Sequence, residues 1–129
     1  MGDAEPEQAF ERLRGRCVLI VEDEYFLADD LARGFGKAGI AIVGPVPSLA
    51  QAAALADEKR IDMAVLDIAL DGDKVYDVAD ALIERGVPFV FVTGYDRSDI
   101  PSRYADVTLC QKPVGTDAVI AALARIVAE

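Results

Sequence analysis

The chain has 129 residues, 53 % of them hydrophobic, with no histidine or tryptophan and a net charge of −10; that length suits one domain with a real core, and no apolar run approaches the ~18 residues of a membrane span. The acidic balance argues against contact with nucleic-acid phosphates or an anionic membrane surface and for a partner with basic patches. The missing histidine excludes Ser-His-Asp and Cys-His machinery and any histidine-ligated metal, so a bound ion would be hard and oxygen-liganded.

Residues 1–15 form a charged lead-in. Ala9, Phe10 and Leu13 fit one amphipathic turn, yet the composition favours a flexible tail. It has no signal-peptide apolar region, so a soluble, cytoplasmic protein is expected. "CVLIV" (17–21) is a continuous apolar run, the mark of a strand buried on both faces. Leu27, Leu31, Phe35 and Ala38 recur at helical spacing, and Gly39 stops that helix. "IAIV" (40–43) is a second strand, "GPVPS" a loop, and Ser48 caps a helix over 49–58. "DMAVLD" (62–67) is a third strand, followed by the turn chemistry of "DGD" and a helix over about 74–85 that closes at Gly86. "PFVFV" (88–92) is the fourth strand and "DVTLC" (106–110) a weaker fifth. Between them "GYDRSDIPSRYA" (94–105) offers few apolar anchors and a proline, which predicts a short or mobile helix. Thr116 or Asp117 caps a last helix that carries Val119, Ile120, Leu123, Ile126 and Val127 on one stripe.

Strands alternating with helices predict an α/β fold: a doubly wound, five-stranded parallel sheet of order 2-1-3-4-5, the flavodoxin-like arrangement. Residues 16–129 form this domain. Cys17 and Cys110 then lie on separated strands, and two buried, reduced thiols are expected.

Ligands of such sheets bind at the carboxyl ends of the strands. The first strand delivers Glu22 and Asp23 there, the third Asp67, the fourth Thr93, and the fifth Lys112 followed by Pro113. Each residue alone has an ordinary explanation: a helix cap, a loop carboxylate, a strand-end hydroxyl, a solvated lysine. Their joint occurrence, each at its own strand end, concentrates three carboxylates, a hydroxyl and an ammonium on one rim. Two like charges ~4 Å apart repel by roughly 4 kcal/mol at an effective dielectric of ~20. Such a rim calls for a cation.

With "VEDE", "VLD", "VTG" and "QKP" each at its strand end, the chain resembles the receiver domain of two-component response regulators over about Arg16 to Val127. The resemblance implies a phosphoacceptor, Asp67, that takes a phosphoryl group from a histidine of a sensor kinase or phosphotransfer protein. It implies Mg²⁺ held by Glu22, Asp23, Asp67 and the Ala69 backbone carbonyl, with Thr93 as switch hydroxyl and Lys112 as phosphoryl contact. It also implies a cis bond before Pro113 and a signalling module, not an enzyme, that acts through protein contact. "FVTGYD" resembles the FATGUY subgroup, with Val92 at the alanine place and Tyr95 directly after the glycine. The family's switch aromatic falls at Leu109 here, so Tyr95 is the candidate substitute.

Other readings fail at named residues. An aspartyl-phosphate phosphatase of the haloacid dehalogenase type needs a second aspartate where Ala69 stands. A flavodoxin-like FMN site would be repelled by "EDE". An EF-hand reading of "DIALDGD" lacks ligands at Ala69 and Val78. The remaining alternative is a degenerate receiver that binds partners without being phosphorylated, against which Asp67, Thr93 and Lys112 all argue. Whether the domain stands alone or belongs to a longer protein is open from the sequence.

Overall fold

The computed structural model describes residues 6–127. In chain order the elements are α1 (Pro6–Leu13), β1 (Cys17–Val21), α2 (Tyr25–Lys37), β2 (Ala41–Val46), α3 (Leu49–Glu58), β3 (Met63–Leu66), β4 (Ala69–Leu70), β5 (Asp73–Lys74), α4 (Tyr76–Arg85), β6 (Phe89–Thr93), β7 (Thr108–Gln111) and α5 (Thr116–Ile126). Five strands form one parallel sheet of order β2-β1-β3-β6-β7, which is the expected 2-1-3-4-5 order.

The apolar runs of the central strands serve two cores at once, because successive side chains point to opposite faces. Val18 and Ile20 of β1, Met63 and Val65 of β3, and Val90 and Val92 of β6 pack with Leu31 and Phe35 of α2 and Ile120 and Leu123 of α5. The alternate residues Leu19, Val21, Ala64, Leu66, Phe89 and Phe91 pack on the other face with Ala52 and Ala56 of α3 and Val78 and Leu82 of α4. Each such burial contributes about 1.5–3 kcal/mol, so a register slip in any central strand would forfeit several of them. α2 and α5 approach closely where Gly34 leaves room; a Cβ there would stand 2.3 Å from Thr116 Cγ2.

Several expectations are corrected. The lead-in contains α1, and it is anchored: Leu13 is fully buried in the first core and Phe10 packs against it. Two apolar residues three apart are enough, because α5 offers them a surface to cover. Residues 1–5 of the lead-in lie outside the described residues. β2 runs on through Gly44, Pro45 and Val46, read from sequence as a loop. It does so through a register shift opposite Leu19–Val21. Gly44 sits at φ 98 there, with a prospective Cβ only 2.9 Å from the Ile20 carbonyl oxygen, so a side chain is excluded. "DGD" closes a two-stranded antiparallel hairpin, β4–β5, and α4 therefore starts at Tyr76.

The fourth crossover is two 3₁₀ turns, Arg97–Asp99 and Ser102–Tyr104. Its anchors are Ile100 and Tyr104, both buried. The Tyr104 ring stacks on Tyr76 at 5.1 Å and meets Phe91 edge-on at 5.5 Å. Its hydroxyl donates to Asp80 and to the Tyr76 carbonyl. Arg97 donates to the carbonyls of Tyr104 and Val107, at 3.1 and 2.7 Å, and stitches the segment to the entry of β7. Cys17 and Cys110 are both free thiols, half-buried, on strands separated by β3 and β6.

Candidate functional site

At the carboxyl ends of β1, β3, β6 and β7 the chain gathers Glu22, Asp67, Thr93 and Lys112. The parallel pairing aligns Val21 with Leu66, and Thr93 with Gln111, so the residues that follow emerge side by side. Glu22, Asp67 and Thr93 are 3 %, 5 % and 1 % exposed, the buried polar groups of an otherwise apolar interior. Buried polar groups need partners, and a lysine supplies one to each of the two carboxylates. Lys112 Nζ donates to Asp67 Oδ2 at 3.1 Å, to Glu22 Oε2 at 3.3 Å and to Glu24 Oε2. The Lys112 backbone N–H donates to the Thr93 carbonyl at 2.8 Å, which holds the lysine at the sheet edge, and the Lys112–Pro113 bond is cis as expected.

One ammonium faces three carboxylates. Carboxylate oxygens of Glu22, Glu24 and Asp67 lie within 4.8 Å of one another. Glu22 Oε2 also accepts the Glu24 N–H at 3.0 Å. Glu22 Oε1 is buried and has no hydrogen-bond donor, although it stands 3.2 Å from Lys112 Nζ as an ion pair. Burial raises the Glu22 carboxyl above its usual pKa, and the adjoining Asp67 carboxylate raises it further. Burial alone would lower the Lys112 pKa. Its bonds to Glu24 and Asp67 outweigh that and raise it.

The donor set is all oxygen, one of its atoms is orphaned, and charge is incompletely balanced. Those properties fit a small hard cation such as Mg²⁺. The expected ligands are only partly assembled, however. Asp23 is exposed and its carboxylate accepts the Asp71 N–H at 3.2 Å, outside the Glu22–Glu24–Asp67 group. Ala69 opens the β4–β5 hairpin two residues after Asp67. Glu24, which joins the group, was passed over in the sequence because it falls outside the acidic pair. The adjacency of "EDE" to a strand end was its only sign.

Thr93 Oγ1 accepts the Tyr95 N–H at 3.3 Å. Tyr95 is half-buried and packs against the second core, as does Leu109. Lys74 of the hairpin donates to the Tyr95 hydroxyl and lies 4.8 Å from its ring centroid. The hairpin thus touches Asp23 through Asp71 and Tyr95 through Lys74.

Sequence reasoning also missed Tyr25 and Phe26. They open α2 at 75 % and 82 % exposure, edge to face at 5.5 Å. Grooves flank them, one lined by Glu22, Asp23, Tyr25, Pro45 and Pro47, the other by Glu24, Phe26, Lys112 and Pro113. Neither ring is buried by the fold, so both remain open to solvent beside the charged cluster. Among the described residues no helix is long and apolar enough to cross a membrane.

The family model for the response regulator receiver domain matches residues 18–124. Among curated proteins, the transcriptional regulatory protein PdtaR of Mycobacterium tuberculosis is 29 % identical over 92 residues, covering 70 % of this chain and 45 % of PdtaR. Among solved structures, the BeF3-activated conformation of SdrG from Pseudomonas melonis Fr1 is 39 % identical with a TM-score of 0.71, over 86 % of this chain and 96 % of that one. The response regulator PhyR from Brucella abortus is 25 % identical with a TM-score of 0.77, over 94 % of this chain and 51 % of that one. The chain thus spans about half the length of PdtaR and of PhyR.

Proposed function

Because the chain belongs to the response regulator receiver family, we propose that it accepts a phosphoryl group on Asp67 from a histidine of a kinase or phosphotransfer protein and signals through protein contact. The observation that carries this is Lys112 Nζ at 3.1 Å from Asp67 Oδ2, inside a pocket where Asp67 is nearly buried and aspartate needs a reason to be. In the transfer, a carboxylate oxygen of Asp67 forms the new P–O bond as the P–N bond of the phosphohistidine breaks. The electron pair of that bond stays on the imidazole nitrogen, which then takes up a proton. Lys112 meets the charge on the phosphoryl oxygens, and the Thr93 hydroxyl lies at the neighbouring strand end to bond one of them. Mg²⁺, held by Asp67, Asp23 and the Ala69 carbonyl with Glu22 beside it, would supply the remaining charge neutralisation.

Tyr25 and Phe26 are the docking contacts for the donor in this reading, since they are exposed and line grooves shared with Glu22 and Asp23 on one side and Glu24 and Lys112 on the other, where an aromatic anchor can exclude water. Tyr95 carries the change outward, because its backbone N–H bonds the Thr93 hydroxyl. The relative SdrG takes a BeF3-activated conformation, which supports a response of this kind. The test is incubation with an acyl phosphate and Mg²⁺, followed by intact-mass analysis. The protein should gain one phosphoryl group, and Asp67→Asn should gain none. Uptake by Asp67→Asn at the wild-type rate would remove Asp67 from the role.

A further inference from the structure

We propose that Glu24 is a positioning residue that holds the Lys112 ammonium in its resting place and yields it when a phosphoryl group arrives. This rests on the reading of Asp67 as phosphoryl acceptor. An ammonium has three N–H donors. Here three carboxylates take them: Asp67 Oδ2, Glu22 Oε2 and Glu24 Oε2. No donor is left for a phosphoryl oxygen, so that oxygen bonds Lys112 only by displacing one carboxylate.

Exposure decides which one leaves. The side chains of Glu22 and Asp67 are 1 % and 6 % exposed, and neither can regain water. The Glu24 side chain is 60 % exposed, so it swings out into solvent and recovers its hydration. Its backbone stays behind, fixed by the Glu24 N–H bond to Glu22 Oε2. Glu24 also occupies the N-cap position of α2 yet makes no side-chain cap bond. Its carboxylate reaches Lys112 and does not bond the open N–H groups of its own helix. The pair therefore opposes both arrival of the phosphoryl group and its retention, since each requires Lys112 to be free.

Three variants separate this contact from simple charge. Glu24→Gln removes the charge and the ion pair. Glu24→Asp keeps the charge on a shorter arm that does not reach Lys112. Asp30→Asn removes a negative charge from the same groove without touching Lys112. Phosphorylation by an acyl phosphate with Mg²⁺ should be faster by about two- to fivefold in both Glu24 variants, the factor that the strength of an exposed ion pair sets. Loss of the phosphoryl group should be slower in both, and Asp30→Asn should stay near the wild-type rate. In parallel, the Lys112 side-chain ¹⁵N resonance should shift in both Glu24 variants before any phosphoryl donor is added, with that of Asp30→Asn unmoved. The proposal is overturned if Glu24→Asp behaves as wild type, if Glu24→Gln and Asp30→Asn accelerate equally, or if the Lys112 resonance ignores Glu24. If instead Asp67→Asn is labelled as fast as wild type, the acceptor assignment fails, and the resonance arm still decides whether Glu24 holds the ammonium.

Discussion

Replacing Lys112 by Met keeps most of the buried alkyl stem and deletes the one cation among three carboxylates. Asp67 at 3.1 Å loses an attraction of about 5 kcal/mol at an effective dielectric of ~20, and Glu22 at 3.2 Å loses a similar one only in its ionised form, which its raised pKa makes scarcer as pH falls. Glu24 loses far less, because it is largely in water. The variant has an escape: a carboxyl of the cluster can bind a proton. At about pH 8 that costs roughly 5 kcal/mol, and at about pH 6 roughly 2, from 1.36 kcal/mol per pH unit above the usual glutamate value. The loss of stability is therefore capped by proton uptake at about 5 kcal/mol and lies at about 3–5 kcal/mol at pH 8, the range for a buried pair robbed of one partner.

The sign follows from linkage: a carboxyl with a raised folded pKa, as Glu22 already has, contributes stability that is present at low pH and lost as pH rises through the folded value. The gap between wild type and Lys112→Met should accordingly narrow from pH 8 to pH 6. Mg²⁺ should narrow it too, because the ion replaces the missing charge and binds the variant, which has no competing ammonium, more tightly than the wild type; each tenfold difference in affinity closes the gap by up to about 1.4 kcal/mol. Urea unfolding followed by far-UV circular dichroism, at both pH values with EDTA or MgCl₂, measures all four conditions. A gap that is the same at both pH values and indifferent to Mg²⁺ would refute the electrostatic account and leave only packing of the lysine stem.

Two further predictions concern the scaffold. Gly34→Ala should destabilise by about 1 kcal/mol or more, since overpacking against Thr116 Cγ2 outweighs the helix propensity gained; Gly36→Ala, whose Cβ would stand 3.8 Å from Ile42 Cδ1, should stabilise by up to about 1 kcal/mol. Equal effects in thermal melts would contradict the close approach of α2 and α5. Tyr104→Phe should cost about 1 kcal/mol near neutral pH through the lost bonds to Asp80 and the Tyr76 carbonyl. The Tyr104 bond lowers the Asp80 pKa, so the stability it lends is present above the usual carboxylate range and fades as pH falls through the lowered value. Urea midpoints of the two proteins should therefore converge below about pH 4, the usual aspartate range.

The sheet was legible because its central strands are apolar on both faces, a pattern few other structures tolerate, and because each ends on a chemically distinct residue. Backbone irregularities were not. The continuation of β2 past Gly44 depends on a register shift against β1, and no local pattern encodes that. Tyr104 was hidden by its neighbours: in "IPSRYA" one aromatic among polar residues looks like surface, and only the stack with Tyr76 and Phe91 buries it. At the site, residue types and strand ends could be named from spacing, but side-chain direction could not. Asp23 and Glu24 are chain neighbours with the same charge; one bonds the Asp71 amide and the other Lys112.

The helix α1 changes where the folding unit begins. The family model's match starts at residue 18, but Leu13 is packed wholly inside the core that Phe35, Ile40 and Val127 share. The core is thus sealed at this end by a residue that lies outside the segment the family model matches. A version trimmed to that boundary would open a socket at the α5 side of the sheet, wide enough for a leucine and facing an apolar core. Whatever chain is fused upstream of Arg16 has to refill that socket, so a linker joined at this end is a structural component of the domain and cannot be chosen for length alone.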